Sequence, residues 1–237
     1  GCSLADGDGD SERAALLGYR ALAITDECSV AGVVRAHVAA RDHDLALLVG
    51  SELMIDGGAG APMQVVCLAR DRDGYGRLCE LISRARRDTE KGRYRVEARW
   101  LEEDGGMPGC CFLYVPKRAG KLLTRSRATS GPERTPGTST MGAPPANAWA
   151  PRRPSASSQF ADVSPGSGTC LGRWLDQARW LGRLCPSRSW IAVELFRDGD
   201  DEDWLATLSD LGREARLPLV AAGNVHMHAR SRRAVQD

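Results

Sequence analysis

The chain has 237 residues, 42% hydrophobic and 27% charged, which is ample for a globular core and excludes a peptide or a fibrous repeat. Its 32 basic and 31 acidic residues leave a formal charge of +1, so overall charge argues for neither a nucleic-acid nor a membrane partner. No apolar run approaches the roughly 18 residues of a membrane span, and Gly1–Asp10 is acidic where a signal peptide is basic and then apolar, so the sequence predicts a cytoplasmic protein with no membrane partner.

In chain order, Asp6 to Asp10 opens like a calcium loop, but Ser11 stands where that loop needs glycine and Leu17 where it needs glutamate. A helix from Ser11 to Leu17 stops at Gly18. Ala21–Thr25 reads as a buried strand, and Val30, Val33, Val34 and His37 fall at helical spacing up to Arg41. Leu45–Val49 is a second strand, closed by Gly50. Val65–Ala69 is a third, followed by a helix with Tyr75, Leu78, Cys79, Ile82 and Ala85 on its inner face. From Lys117 to Cys170 the texture changes. That stretch holds seven of the twelve prolines and eight Lys/Arg against two acids, too little apolar surface to offset chain entropy, so disorder is expected. Order resumes with a strand at Trp190–Leu195, a helix marked by Trp204, Leu205, Leu208, Leu211, Gly212 and Ala215, and a strand at Leu219–Ala222.

Alternating apolar strands and helices predict an α/β fold with a parallel sheet, either a barrel or an open doubly wound sheet. Function in both collects at the carboxyl ends of strands. There the sequence offers Asp26 and Glu27, then Glu52, then Asn224, His226 and His228. Oxygen and nitrogen ligands on rigid strand ends are how metal sites that activate water are built. The same residues taken singly also read as helix caps or polar strand exits. His37 and His43, away from strand ends, read as packing and surface. The eight cysteines form no CxxC pair and read as reduced core thiols.

Leu17–Ser29 with Ala31–His37, Val49–Glu52, Asp73–Arg86 and Val220–His228 resemble, in the same order, the amino-terminal PHP (polymerase and histidinol phosphatase) domain of bacterial error-prone DNA polymerases, the C-family alpha subunits. The resemblance implies a distorted seven-stranded β/α (TIM-like) barrel, here incomplete. It implies a division into 1–116 (first part of the PHP domain), 117–180 (a disordered or frame-shifted Pro/Arg/Ser-rich insertion) and 181–237 (last part), with the family's first strand and polymerase palm absent. A shifted reading frame in a GC-rich gene would produce that middle composition.

Carried over residue by residue, Asp26 and Glu52 match family ligand positions, Glu27 and Gln64 stand where histidine is usual, and Asn224 replaces an aspartate before His226, with His228 beyond. The implied site is a vestigial one for a divalent metal (Zn, Mn or Mg), weakened by the loss of an imidazole and a charge. The implied function is a fragment of a translesion DNA polymerase active in DNA repair and replication, a family that uses Mg, with the PHP part structural and no catalytic residue in this chain. Implied partners are the polymerase body, DNA, the sliding clamp and translesion accessory proteins. The alternatives are a PHP-type metal-dependent phosphoesterase and a non-catalytic scaffold module.

Overall fold

The computed structural model describes residues 7–87, 89–118, 169–197 and 199–223. Helix α1 (Gly7–Leu16) leads into β1 (Ala21–Ile24), α2 (Val33–Asp42), β2 (Ala46–Asp56) and β3 (Met63–Ala69). Then come α3 (Arg72–Arg87), β4 (Val96–Glu97), α4 (Ala98–Glu103) and β5 (Cys110–Val115). After the segment outside the described residues follow α5 (Cys170–Leu184), β6 (Ser189–Val193), α6 (Asp201–Ala215) and β7 (Leu219–Ala221).

One seven-stranded sheet runs in the order β1-β2-β3-β5-β6-β7, with β4 paired to β2 beyond the end of β1. Spatial order follows chain order. That is the winding of a barrel, whereas a doubly wound sheet reverses at a switch point. Among the described residues β1 and β7 remain the two edges, so the fold is α/β and an incompletely closed, distorted β/α barrel.

The sheet is mixed, not wholly parallel. β1, β2, β4, β5, β6 and β7 share one direction, and β3 runs against both β2 and β5. The cause is the short glycine-rich link between β2 and β3, containing Gly57 (φ +92°) and Gly60 (φ +80°), which makes a hairpin where a parallel crossover needs a dozen residues or more. Gly50 does not end β2 but lies within it. A Cβ there would sit 2.6 Å from the Cys67 carbonyl oxygen, so glycine permits the close approach of β3.

One sheet face packs on helices. Leu53, Ile55, Val65, Cys67, Phe112, Tyr114 and Ile191 are fully or almost fully buried there with Leu78, Leu175, Leu181 and Leu208 from α3, α5 and α6. On α2 the residues at helical spacing are not the buried ones: Val34 is 74% exposed and His37 is exposed, while Ala36, Ala39 and Ala40 are buried. Small side chains let α2 lie close to α1 and β2, and Ala14, Ala40 and Leu45 form a small second core. On α3 Tyr75 is 40% exposed and Gly74 takes the buried position instead.

The expectation of disorder through residue 180 is likewise corrected at its far end. Thr169 caps α5 by accepting from the Gly172 N–H at 3.0 Å, and Trp174, Leu175, Ala178, Trp180 and Leu181 are core residues. Buried Gln177 fixes this helix to the β2–β3 link. It accepts from the Tyr114 hydroxyl at 2.6 Å and donates to the carbonyls of Ala61 (3.1 Å) and Pro62 (3.3 Å). Residues 119–168 lie outside the described residues. Cys28, Cys67, Cys110 and Cys185 are buried free thiols.

Candidate functional site

β2 is longer than β1, so its exposed backbone edge past Val49 must find other partners. The turn after β1 supplies the first. The Glu52 N–H donates to the Asp26 carbonyl at 3.2 Å and the Cys28 N–H donates to the Glu52 carbonyl at 2.8 Å, bringing Glu27 and Glu52 side by side as a parallel bridge. The Ser51 hydroxyl reinforces the turn, donating to the Asp26 carbonyl at 2.8 Å and accepting from the Ser29 N–H at 3.0 Å. Cys28 is held at φ +44°, a left-handed conformation unusual for a side-chain-bearing residue. The carboxylate of Asp26 lies close above α2. A Cβ at Gly32 would be 3.2 Å from Asp26 Oδ2.

The acidic side chains have protein donors. Gln64 on β3 donates from Nε2 to Glu52 Oε1 at 2.7 Å across the β2–β3 ladder. The Tyr94 hydroxyl donates to Glu27 Oε1 at 2.9 Å while accepting from the Met54 N–H at 3.2 Å, filling the gap on β2 before β4 begins at Val96. Burial and the bond to Glu27 push the Tyr94 hydroxyl above its ordinary pKa. Arg86, near the end of α3, donates to the carbonyls of Cys28 (2.8 Å) and Glu27 (3.2 Å), with its guanidinium carbon 5.9 Å from the Tyr94 ring centre. Arg86 and Tyr94 escaped sequence reading because each acts through long-range contacts with no local motif.

Asp26, Glu27, Glu52 and Gln64 are thus brought together at one edge of the sheet. Asn224, His226 and His228 lie outside the described residues, which end after β7 at Gly223. Among the described residues no group of three or more His, Cys, Asp or Glu side chains is arranged to hold a metal ion. The hydrogen bonds of the described part fasten β1, β2, β3 and α3 to one another.

The PHP domain family matches residues 9–121. That match covers a little under half of the chain. Across 227 residues, 95% of its length, the chain is 39% identical to an error-prone DNA polymerase of Pseudomonas aeruginosa, of which it covers 16%. Comparable matches are the error-prone DNA polymerases of Dechloromonas aromatica, 39% identical over 95% of this chain and 17% of the relative, and of Pseudomonas paraeruginosa, 40% identical over 95% and 16%. The chain thus spans about one sixth of the length of these curated relatives. Among solved structures, a candidate metal-dependent phosphoesterase of Bifidobacterium adolescentis aligns with TM-score 0.44 and 12% identity over 94% of this chain and 82% of that one. No helix among the described residues is long and apolar enough to cross a membrane.

Proposed function

We propose that this chain acts as the PHP portion of an error-prone DNA polymerase, a structural support for the polymerase body in DNA synthesis past damage, during repair and replication in the cytoplasm. Its partners on this reading are that body and DNA, with the sliding clamp and translesion accessory proteins reached through them. Residues 1–116 and the part from α5 onward form one domain on either side of the intervening segment, since α5 packs into the same core. Asp26, Glu27, Glu52, His226 and His228 are the remnant of a divalent-metal ligand set, reduced by Gln64 and Asn224.

The observation that carries this reading is the Gln64–Glu52 hydrogen bond. Where the family resemblance places an imidazole, an amide donates to the neighbouring carboxylate and uses one of its oxygens for the sheet. A carboxamide nitrogen has no lone pair to offer a cation, so the pair trades ligand capacity for a cross-strand bond.

The purified chain should carry well under one divalent metal per molecule by elemental analysis and should leave generic phosphate monoesters and diesters intact. Stoichiometric zinc or manganese, together with hydrolysis lost in Glu52→Ala, would replace this reading with a metal-dependent phosphoesterase.

A further inference from the structure

The amino edge of the parallel strands, opposite the edge that carries Glu27 and Glu52, holds a cleft of about 940 Å³ where α5 and α6 end and β6 and β7 begin. Its lining is strongly basic: Arg179, Arg183, Arg213 and Arg216 against the single acid Glu214. Arg213 pairs with Asp210, and Arg179 donates to the Glu214 backbone carbonyl at 3.4 Å. Arg183 and Arg216 have no acidic partner among the described residues. A cation in the last turn of a helix favours the helix dipole, which accounts for Arg183 and Arg213 as fold elements.

That explanation does not reach Arg216. It sits just past α6 at φ +58°, the left-handed capping position that glycine fills without strain, and Ser187 in the same lining is also left-handed at φ +60°. Arg183, Arg216 and Ser187 are exposed in this lining, so both guanidiniums are open to a ligand. Half-buried Trp190 adds an aromatic to the lining.

We propose that this cleft binds a single DNA strand, with Arg183 and Arg216 on successive phosphates and Trp190 as a platform for a base. The guanidinium fork matches phosphate oxygens two at a time, and basic grooves interleaved with aromatics are how unpaired strands are held without sequence preference. The cleft is far larger than one inorganic phosphate requires. The choice of a strand over an acidic peptide rests on the polymerase reading above. The site itself involves none of the proposed metal ligands.

Fluorescence anisotropy of the full chain with a fluorescein-labelled oligothymidylate tests it. Arg183→Ala and Arg216→Gly should each weaken binding about three- to tenfold and lower the slope of log affinity against log salt by about 0.7, the value for one lost single-strand phosphate contact. Arg216→Gly suits its left-handed backbone, so its melting temperature should hold or rise while affinity falls, which separates lost contact from lost fold. Binding unchanged in both variants overturns the proposal and assigns any affinity to another part of the chain. Competition by inorganic phosphate or oligoglutamate as effective as by unlabelled oligothymidylate overturns the strand as ligand. Metal content bears on the polymerase reading alone, so the two fail separately.

Discussion

Helix α3 carries Arg86 to the turn after β1, and its seating on the sheet depends on one glycine. At Gly74 a Cβ would lie 2.0 Å from the Gly109 carbonyl oxygen and 2.5 Å from its carbon. That carbonyl is itself pinned, accepting from the Arg70 N–H at 2.8 Å, while Asp71 accepts from the Gly74 N–H at 2.8 Å. Alanine at 74 must open the contact by about 1 Å, an overpacking cost of about 1–3 kcal/mol, with about 1 kcal/mol more if the Arg70 bond breaks. Better helix propensity returns about 0.5–1 kcal/mol, so Gly74→Ala should destabilise by about 2 kcal/mol. Gly76, two residues on, is exposed and has nothing within 4 Å of its notional Cβ, so Gly76→Ala should stabilise by about 0.5–1 kcal/mol. At about 2–4 °C per kcal/mol for a chain of this size, thermal melts of the two variants should differ by roughly 5–10 °C with wild type between them. Equal shifts, or Gly74→Ala melting with wild type, would refute the close-approach argument.

Tyr94→Phe removes the acceptor of the Met54 N–H and the donor to Glu27, so it should cost about 1–2 kcal/mol in urea unfolding and speed hydrogen exchange at the Met54 amide. An unaltered exchange rate there would show that the hydroxyl does not cover this edge. Burial pushes the Cys185 thiol from its ordinary 9.0 up to about 11, so between those values the unfolded chain ionises while the folded one stays protonated. The native state then binds more protons, and stability falls as pH rises from 9 to 11, by at most about 2–3 kcal/mol. Cys185→Ala should flatten that part of the stability profile relative to wild type, and parallel profiles would count against the thiol as its source.

Strands and helices were readable in the sequence wherever a single contiguous pattern decided them. β1, the start of β2, α3 and α6 follow from apolar periodicity, because each buries a face that local spacing already displays. The direction of β3 was not readable from its own residues. Val65–Ala69 is equally apolar in either direction, and what reverses it is the length of the link before it. β5 carries no distinctive local signal, since Cys110–Val115 is one short apolar run bounded by Gly109 and Pro116, ambiguous by periodicity alone. α5 was obscured by averaging. Its own residues Trp174, Leu175, Ala178 and Leu181 form a clean buried face, but they adjoin a long Pro/Ser/Arg-rich stretch whose composition masks them. Of the site, Asp26 and Glu27 were legible as carboxylates just past β1, whereas Glu52, expected at a strand end, lies within β2 because that strand runs on past Gly50 to Asp56. Their partners Tyr94 and Arg86 were not, since contacts across 67 and 59 residues leave no trace in spacing.

The order of bonds along β2 gives both carboxylates a structural role. Moving up its edge, β1 pairs with residues 46 to 49, the Asp26–Cys28 turn with Glu52, the Tyr94 hydroxyl with Met54, and β4 with Ile55 and Asp56. Glu27 anchors Tyr94 in that series, and Glu52 anchors Gln64 on the opposite strand, so each acid completes a hydrogen bond whether or not a cation is present. Removing either would leave a partly buried hydroxyl or amide without its acceptor, a loss of about 1–3 kcal/mol in a fold whose β1 pairs, among the described residues, with β2 alone. On the proposed structural reading, Glu27 and Glu52 both serve sheet integrity, and neither carboxylate needs metal chemistry to account for its place.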